Sequence, residues 1–128
     1  MSIQETLTKW AESNNLLRIA ILFGSYATSK NHDNSDVDVA VLFDKVLSLQ
    51  EKVEVTTELS TLLKKEIDLI DLLDCNGELL KQVLTTGIRL KTDENMARLL
   101  QKMLYQQSDF EPIATALRKN RKKRLIAE

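Results

Sequence analysis

The sequence predicts an α/β domain of α+β character, a small mixed β-sheet flanked by helices. Segments with apolar residues at helical spacing interleave with short β-branched runs and strict apolar alternation. Three glycines and one proline are too few for linkers or low-complexity sequence. The 128 residues, 43% hydrophobic and 29% charged, suit one globular domain.

Ile3, Leu7, Trp10 and Ala11 recur at helical spacing, so residues 3–14 read as an amphipathic helix that Asn14-Asn15 stops. Residues 16–23 are a short apolar run with β-branched isoleucines, a buried strand. Gly24-Ser25 ends it and opens a turn or short helix, and residues 30–35 form a polar loop. Residues 36–43 are the second strand. Val37, Val39, Val41 and Phe43 share one face; Asp36, Asp38, Ala40 and Leu42 share the other. Residues 48–64 form a helix through Leu49, Val53, Leu59, Leu62 and Leu63. Residues 66–73 form a third strand, with Asp68 and Ile70 facing one way and Ile67, Leu69 and Asp71 the other. A helix over 78–85 ends at Gly87, its C-terminal glycine, and 88–91 make a short fourth strand. Asp93 caps a last long helix to about residue 105, and Pro112 restarts a basic helix to about residue 124.

The net charge of −1 hides an asymmetry. Residues 1–111 hold 12 Lys/Arg and 18 Asp/Glu, and residues 112–128 hold 6 and 1. An acidic body argues against a general nucleic-acid surface, which needs clustered cations. The basic tail reads first as a solvated helix face, then as a contact for an acidic partner, and last as an RNA contact. Cys75 is the sole cysteine, which excludes an internal disulfide framework and a cysteine-based zinc site. No apolar run approaches membrane-spanning length, and the N-terminus has no signal-peptide pattern. A cytoplasmic, single-domain protein is expected.

The stretch that carries chemistry is Phe23-Gly24-Ser25, ten residues, then Asp36-Val37-Asp38. Aspartates at i and i+2 on a strand point to one side, about 7 Å apart. Two bare carboxylates there repel by a few kcal/mol at an effective dielectric of about 20. Hard divalent cations compensate such a pair, and magnesium is the usual one where phosphate is also bound. Glycine permits a sharp turn after the first strand, and a following helix start with the Ser25 hydroxyl would offer an anion cradle. A third acid is expected on an adjoining strand. Asp68 fits, because a lone acid in Ile67-Asp68-Leu69-Ile70 is otherwise costly; Asp71 competes but lies on the opposite face.

These residues resemble the minimal nucleotidyltransferases of the DNA polymerase β-like superfamily. The matching segments are Phe23-Gly24-Ser25-Tyr26, Ser35-Asp36-Val37-Asp38-Val39-Ala40-Val41 and Ile67-Asp68-Leu69, within a resemblance covering roughly residues 16–105. The resemblance implies that Gly24 and Ser25 contact nucleotide phosphates. It implies that Asp36 and Asp38 bind Mg²⁺ and that Asp68 is the third metal-binding or catalytic acid. Many relatives carry arginine three residues after the serine; here Thr28 stands there, and nearby Lys30 is the candidate replacement. Members this short resemble antitoxins that transfer AMP from ATP to a tyrosine of a HEPN-domain ribonuclease toxin. Residues 1–111 are then the minimal nucleotidyltransferase domain, with 112–128 a basic helix packed on it or extending from it. Two other functions stay open: an antitoxin that acts by binding alone, and a small-molecule nucleotidyltransferase of the aminoglycoside type.

Other residues read more plainly. His32 is a solvated loop residue, Cys75 a semi-buried inert thiol, and Trp10 part of the core or an interface anchor. Tyr26 suits either the nucleotide pocket or simple packing, and Tyr105 and Phe110 are candidates for fixing the tail to the body.

Overall fold

The computed structural model describes residues 2–27 and 36–106, the side chains of residues 103, 105 and 106 excepted. Thr28, Lys30, His32, Ser35, Phe110, the Tyr105 side chain and the basic helix expected after Pro112 lie outside the described residues, as does the boundary at 111.

Helix α1 (Ile3–Ser13) begins where the Ser2 hydroxyl accepts the Glu5 backbone N–H at 3.1 Å, and it buries Leu7, Trp10 and Ala11. Strand β1 (Leu17–Phe23) is buried along nearly its whole length. A single 3₁₀ turn, Gly24–Tyr26, follows it, closed by Ala27 N–H on the Gly24 carbonyl at 3.1 Å. Strand β2 (Val37–Phe43) leads to α2 (Leu49–Leu63), which starts with a reciprocal capping box between Ser48 and Glu51. Lys64 ends that helix in the left-handed region, φ 55°. Strand β3 (Ile67–Asp71), helix α3 (Gly77–Thr86), strand β4 (Ile88–Lys91) and helix α4 (Glu94–Gln106) complete the described chain.

The sheet order is β3-β2-β1-β4. β1 runs antiparallel to both neighbours, whereas β2 and β3 are parallel, so the sheet is mixed as expected. A parallel pair needs a crossover, and α2 supplies it. Helices cover both faces. On one, Leu7, Trp10 and Ala11 of α1 and Leu59 of α2 pack with Ala20, Leu22, Val37, Val39 and Val41. On the other, Leu80 and Val83 of α3 and Leu100 of α4 pack with Ile19, Ile21, Phe23, Ala40 and Leu42. The alternation in β2 thus divides its side chains between the two cores, and Asp38 belongs to the α3/α4 side.

One expectation needs correction. β3 is shorter than residues 66–73, because the Asp71 carboxylate accepts the Leu73 N–H at 3.0 Å and the Asp71 carbonyl accepts Asp74 N–H at 2.9 Å, turning the chain. Gly87 caps α3 as expected, with extended backbone (φ −78°, ψ 158°). Its reason is space: a Cβ there would overlap the Ile21 side chain and come within 2.6 Å of the Val83 carbonyl oxygen. Asp93 does cap α4, accepting the N–H groups of Asn95 and Met96 at 3.0 and 3.2 Å.

Candidate active site

The site forms at one end of the sheet, where β1 finishes and β2 and β3 begin. Phe23, the last residue of β1, pairs with Asp38, so the chain must leave β1 directly over that aspartate. Gly24 makes the exit with φ +72°, a conformation side chains with a Cβ rarely adopt. A Cβ on Gly24 would also overlap Oδ2 of Asp38 and stand 2.9 Å from its Cγ. Glycine is therefore required twice, for its backbone and for the carboxylate it lies against. The Gly24-Ser25 segment opens a 3₁₀ turn of three residues, shorter than the helix start that the sequence suggested as an alternative.

Across the sheet, Asp38 stands opposite Asp68 in the parallel register of β2 and β3. Adjacent strands are about 4.8 Å apart, so the two carboxyls are near neighbours on one face. Asp38 is half-buried and its pKa is pushed up to about 6. Burial is the largest cause, followed by the charge of Asp68, the hydrogen bond to it, and the charge of Asp36. Asp36 and Asp68 are both exposed. The structure thus brings Asp36, Asp38 and Asp68 to one end of one sheet face, beside Gly24 and Ser25. Lys30 lies outside the described residues.

Asp71 is a different kind of acid. It is 4% exposed and sits three residues along β3, where its carboxylate accepts the N–H groups of Leu47 at 2.9 Å and Leu73 at 3.0 Å. Burial raises its pKa while those two hydrogen bonds oppose the rise. It ties the β2–α2 connection to the end of β3 and takes no part in the carboxylate row. Cys75 is buried, with its thiol pushed up to about 11 by burial and by Asp71. Trp10 is a core residue whose indole Nε1–H donates to Glu58 Oε1 at 2.6 Å. Tyr26 packs against the α1/α2 core, on the face away from Asp38. A groove of about 610 Å³ between α1 and α2, lined by Trp10, Glu58 and Leu62 among others, is likewise remote from the carboxylates.

Among the described residues no three His, Cys, Asp or Glu side chains close into a metal cage. The donor set is two facing carboxyls with a third acid nearby, all hard oxygen. That set fits Mg²⁺, which is commonly held by one or two carboxylates and completes its shell with water and substrate phosphates. The unfavourable burden already present on Asp38 is what a cation would relieve. Sequence reasoning had singled out Asp36, Asp38 and Asp68, which the structure places near one another. It missed the contact between Gly24 and Asp38, which no local pattern reports because it depends on the β1–β2 register.

Residues 5–95 match the family described as Polymerase beta, Nucleotidyltransferase. Over 74 residues the chain is 38% identical to the protein adenylyltransferase MntA of Shewanella oneidensis, covering 58% of this chain and 53% of that protein. The chain spans about half the length of the curated relatives it matches. A solved toxin-antitoxin structure with AMP-PNP superposes with a TM-score of 0.71 at 26% identity, covering 97% of this chain and 96% of that chain. A chain from the complex of tri-AMPylated Shewanella oneidensis HEPN toxin with MNT antitoxin superposes with a TM-score of 0.65 at 23% identity, covering 98% of this chain and 94% of its own length; this likeness is one of fold. No helix among the described residues is long and apolar enough to cross a membrane.

Proposed function

The chain belongs to the polymerase β nucleotidyltransferase family, and from that premise we propose that it is a Mg²⁺-dependent protein adenylyltransferase that moves AMP from ATP to a tyrosine hydroxyl of a HEPN-domain toxin, acting as its antitoxin. The observation that carries this reading is the row formed by Gly24, Asp38 and Asp68 across three adjacent strands, with Asp36 beside it. The relative named protein adenylyltransferase and the toxin-antitoxin structure holding AMP-PNP support the choice of nucleotide and acceptor.

Asp36, Asp38 and Asp68 would hold Mg²⁺, which supplies neutralisation of the charge on the phosphates. The Gly24-Ser25 turn borders the phosphates, and Lys30 is a further candidate contact. The acceptor oxygen bonds to the α-phosphorus as the bond to the departing pyrophosphate breaks. The hydroxyl proton passes to Asp68, the exposed carboxylate at the outer end of the row. Exposure of Asp68 leaves room for a large acceptor at that end of the row. The reaction is assigned to the cytoplasm, where ATP is drawn from the common pool. Residues 1–111 constitute the transferase domain in this reading, and 112–128 its basic extension.

The test is an Asp36→Asn, Asp38→Asn variant co-expressed with the product of the neighbouring gene, the proposed toxin. Loss of neutralisation with the complex retained is the expected result. Neutralisation at the wild-type level would instead make the chain a binding antitoxin.

A further inference from the structure

The outer surfaces of α1 and α2 form one trough. Its first part is the groove of about 610 Å³ in which Trp10 and Ser13 stand across from Glu58, Thr61 and Leu62. Its second part is a hollow of about 290 Å³ lined by Leu16, Phe43, Leu47, Glu54 and Val55 among others. Val55, Glu58 and Leu62 follow one another at helical spacing, so they share one face of α2 and join the two parts. Leu62 lies at the end of α2 that leads into β3 and the carboxylates. Leu16 lies at the other end of the sheet, just before β1.

The trough is apolar at both ends and acidic between them. Trp10 and Leu62 make one end; Leu16, Phe43 and Leu47 make the other. Leu62 is 48% and Leu16 70% exposed. Glu54 and Glu58 stand between the ends, about one helical turn apart. Both are exposed and, among the described residues, neither is in an ion pair. Of the lysines bordering the trough, Lys45 is paired with Glu51 at 3.2 Å and Lys9 stands on the α1 wall. From Val55 to Leu62 the trough follows about 10 Å of helix.

The chain itself carries the complement of this pattern. In the sequence beyond the described residues, Ile113 and Leu117 come first, six Lys and Arg follow between Arg118 and Arg124, and Leu125 and Ile126 close the run. At helical rise, Leu117 and Leu125 are about 12 Å apart. An apolar, basic, apolar segment thus matches an apolar, acidic, apolar trough in order and in length. The direction of the chain agrees. β4 ends beside the start of β1, where Lys91 Nζ donates to the Asn14 carbonyl at 2.8 Å, and α4 then packs back along β1. α4 therefore delivers the chain to the carboxylate end of the sheet, which is the Leu62 end of the trough. Extended chain from Gln106 to Ile113 spans about 23 Å. The helical layers on the two faces of the sheet are about 20 Å apart.

We propose that residues 113–126 dock in the α1–α2 trough of their own chain. Ile113 and Leu117 lie against Trp10 and Leu62, the cations run along Glu58 and Glu54, and Leu125 and Ile126 cover Leu16. Docking removes the exposed leucines at both ends of the trough from water. It also sets six cations against a helix pair that carries five glutamates and two lysines. The inference is independent of the transfer reading, because the trough lies on the α1/α2 face and Asp38 on the other. A segment held in this way is withdrawn from the RNA contact that its charge would otherwise favour.

The test is disulfide closure in the full chain, at high dilution in a glutathione redox buffer. Two pairs match the proposed alignment: Leu62→Cys with Leu117→Cys, and Leu16→Cys with Leu125→Cys. A crossed pair, Leu16→Cys with Leu117→Cys, is the control. Leu16 and Leu62 are exposed, so cysteine at either leaves the core intact, and Cys75 is buried away from the exchange. Each matched pair is expected to close within one chain at least tenfold faster than the crossed pair. Adding Glu54→Lys to the Leu16→Cys, Leu125→Cys chain is expected to slow its closure at least threefold. Equal rates for matched and crossed pairs overturn the proposal, because the segment then holds no register on the trough. Faster closure of the crossed pair overturns it as well. Disulfides that form only between chains overturn it by making the trough a contact between copies. Closure unaffected by Glu54→Lys overturns the alignment of the cations with the acidic stretch.

Discussion

Asp38 of β2 and Asp68 of β3 are register partners across a parallel strand pair, and the charge of Asp68 helps raise the Asp38 pKa. Two ionised carboxylates on neighbouring strands repel, and a proton or a cation relieves that repulsion. Gly24 closes the third side of Asp38, and burial adds to the cost of its charge. A site with this arrangement is tense when empty and charged, and the tension has measurable consequences.

The first concerns pH. The folded pKa of Asp38, about 6, lies above the ordinary aspartate value of about 3.9. Between these values the folded chain keeps a proton that the unfolded chain has released. The stability this group contributes is therefore complete below about pH 4 and is lost as pH rises through about 6. In EDTA, Asp38→Asn should melt higher than the wild type at pH 7.5, with the difference shrinking toward pH 4.5. Adding Mg²⁺ at pH 7.5 should raise the wild-type melting temperature and leave the variant unchanged. Melting curves that run parallel for the two proteins across this range would remove the strained pair from the site.

The second concerns Gly24. Alanine there meets both a left-handed backbone and the Asp38 carboxylate. Gly24→Ala should cost about 1–2 kcal/mol of stability from the backbone alone. Displacement of Asp38 should lower AMP transfer by about 100-fold or more, since a misplacement of about 1 Å suffices for that. Urea denaturation and initial transfer rates measure the two effects separately.

The third separates two aspartates three residues apart. Asp71→Ala strands the N–H groups of Leu47 and Leu73, which Asp71 now satisfies at 2.9 and 3.0 Å. A loss of about 2–4 kcal/mol follows, with transfer per folded molecule retained. Asp68→Asn should do the reverse, keeping the fold and reducing transfer by about 10²–10⁴. Thermal melts and rate measurements on both variants test this. An Asp71 variant that is stable but inactive would reverse the assignment.

This distinction was partly legible in the sequence. Alternation alone puts Asp68 and Asp71 on opposite faces, and an acid among apolar residues marks both as unusual. What alternation cannot tell is which acid meets Asp38, because that depends on which strands pair and in what register. The Val37↔Ile67 pairing that aligns Asp38 with Asp68 is set by α2, whose length and caps bring β3 back beside β2. The elements themselves were legible where periodicity was strong: α1, β1, β2 and α2 fall within a residue or two of expectation. β3 was overestimated because Ile-Asp-Leu-Ile-Asp-Leu-Leu looks uniformly strand-like, and the turn after Asp71 arises from the hydrogen bonds of its own side chain and carbonyl. Gly87 was legible as the end of a helix, but its crowding against Ile21 was not, because Ile21 comes from another strand.

The fourth concerns Cys75. Its thiol is 7% exposed and pushed up to about 11. At pH 8 a thiol reagent should leave the native protein unmodified and react fully once the chain is unfolded in guanidinium. Reaction in the native state at a rate near that of a free thiol would show that the α3/α4 core opens around it.

Label transfer tests the central claim most directly. The purified chain, Mg²⁺ and a candidate HEPN-domain partner are incubated with ATP labelled at the α-phosphate, and in parallel with ATP labelled at the γ-phosphate. Breakage beyond the α-phosphorus predicts label on the partner from the first and none from the second, and no label with Asp36→Asn, Asp38→Asn. Label from the γ-position, or α-label undiminished in the variant, would contradict the assignment of these carboxylates to nucleotidyl transfer.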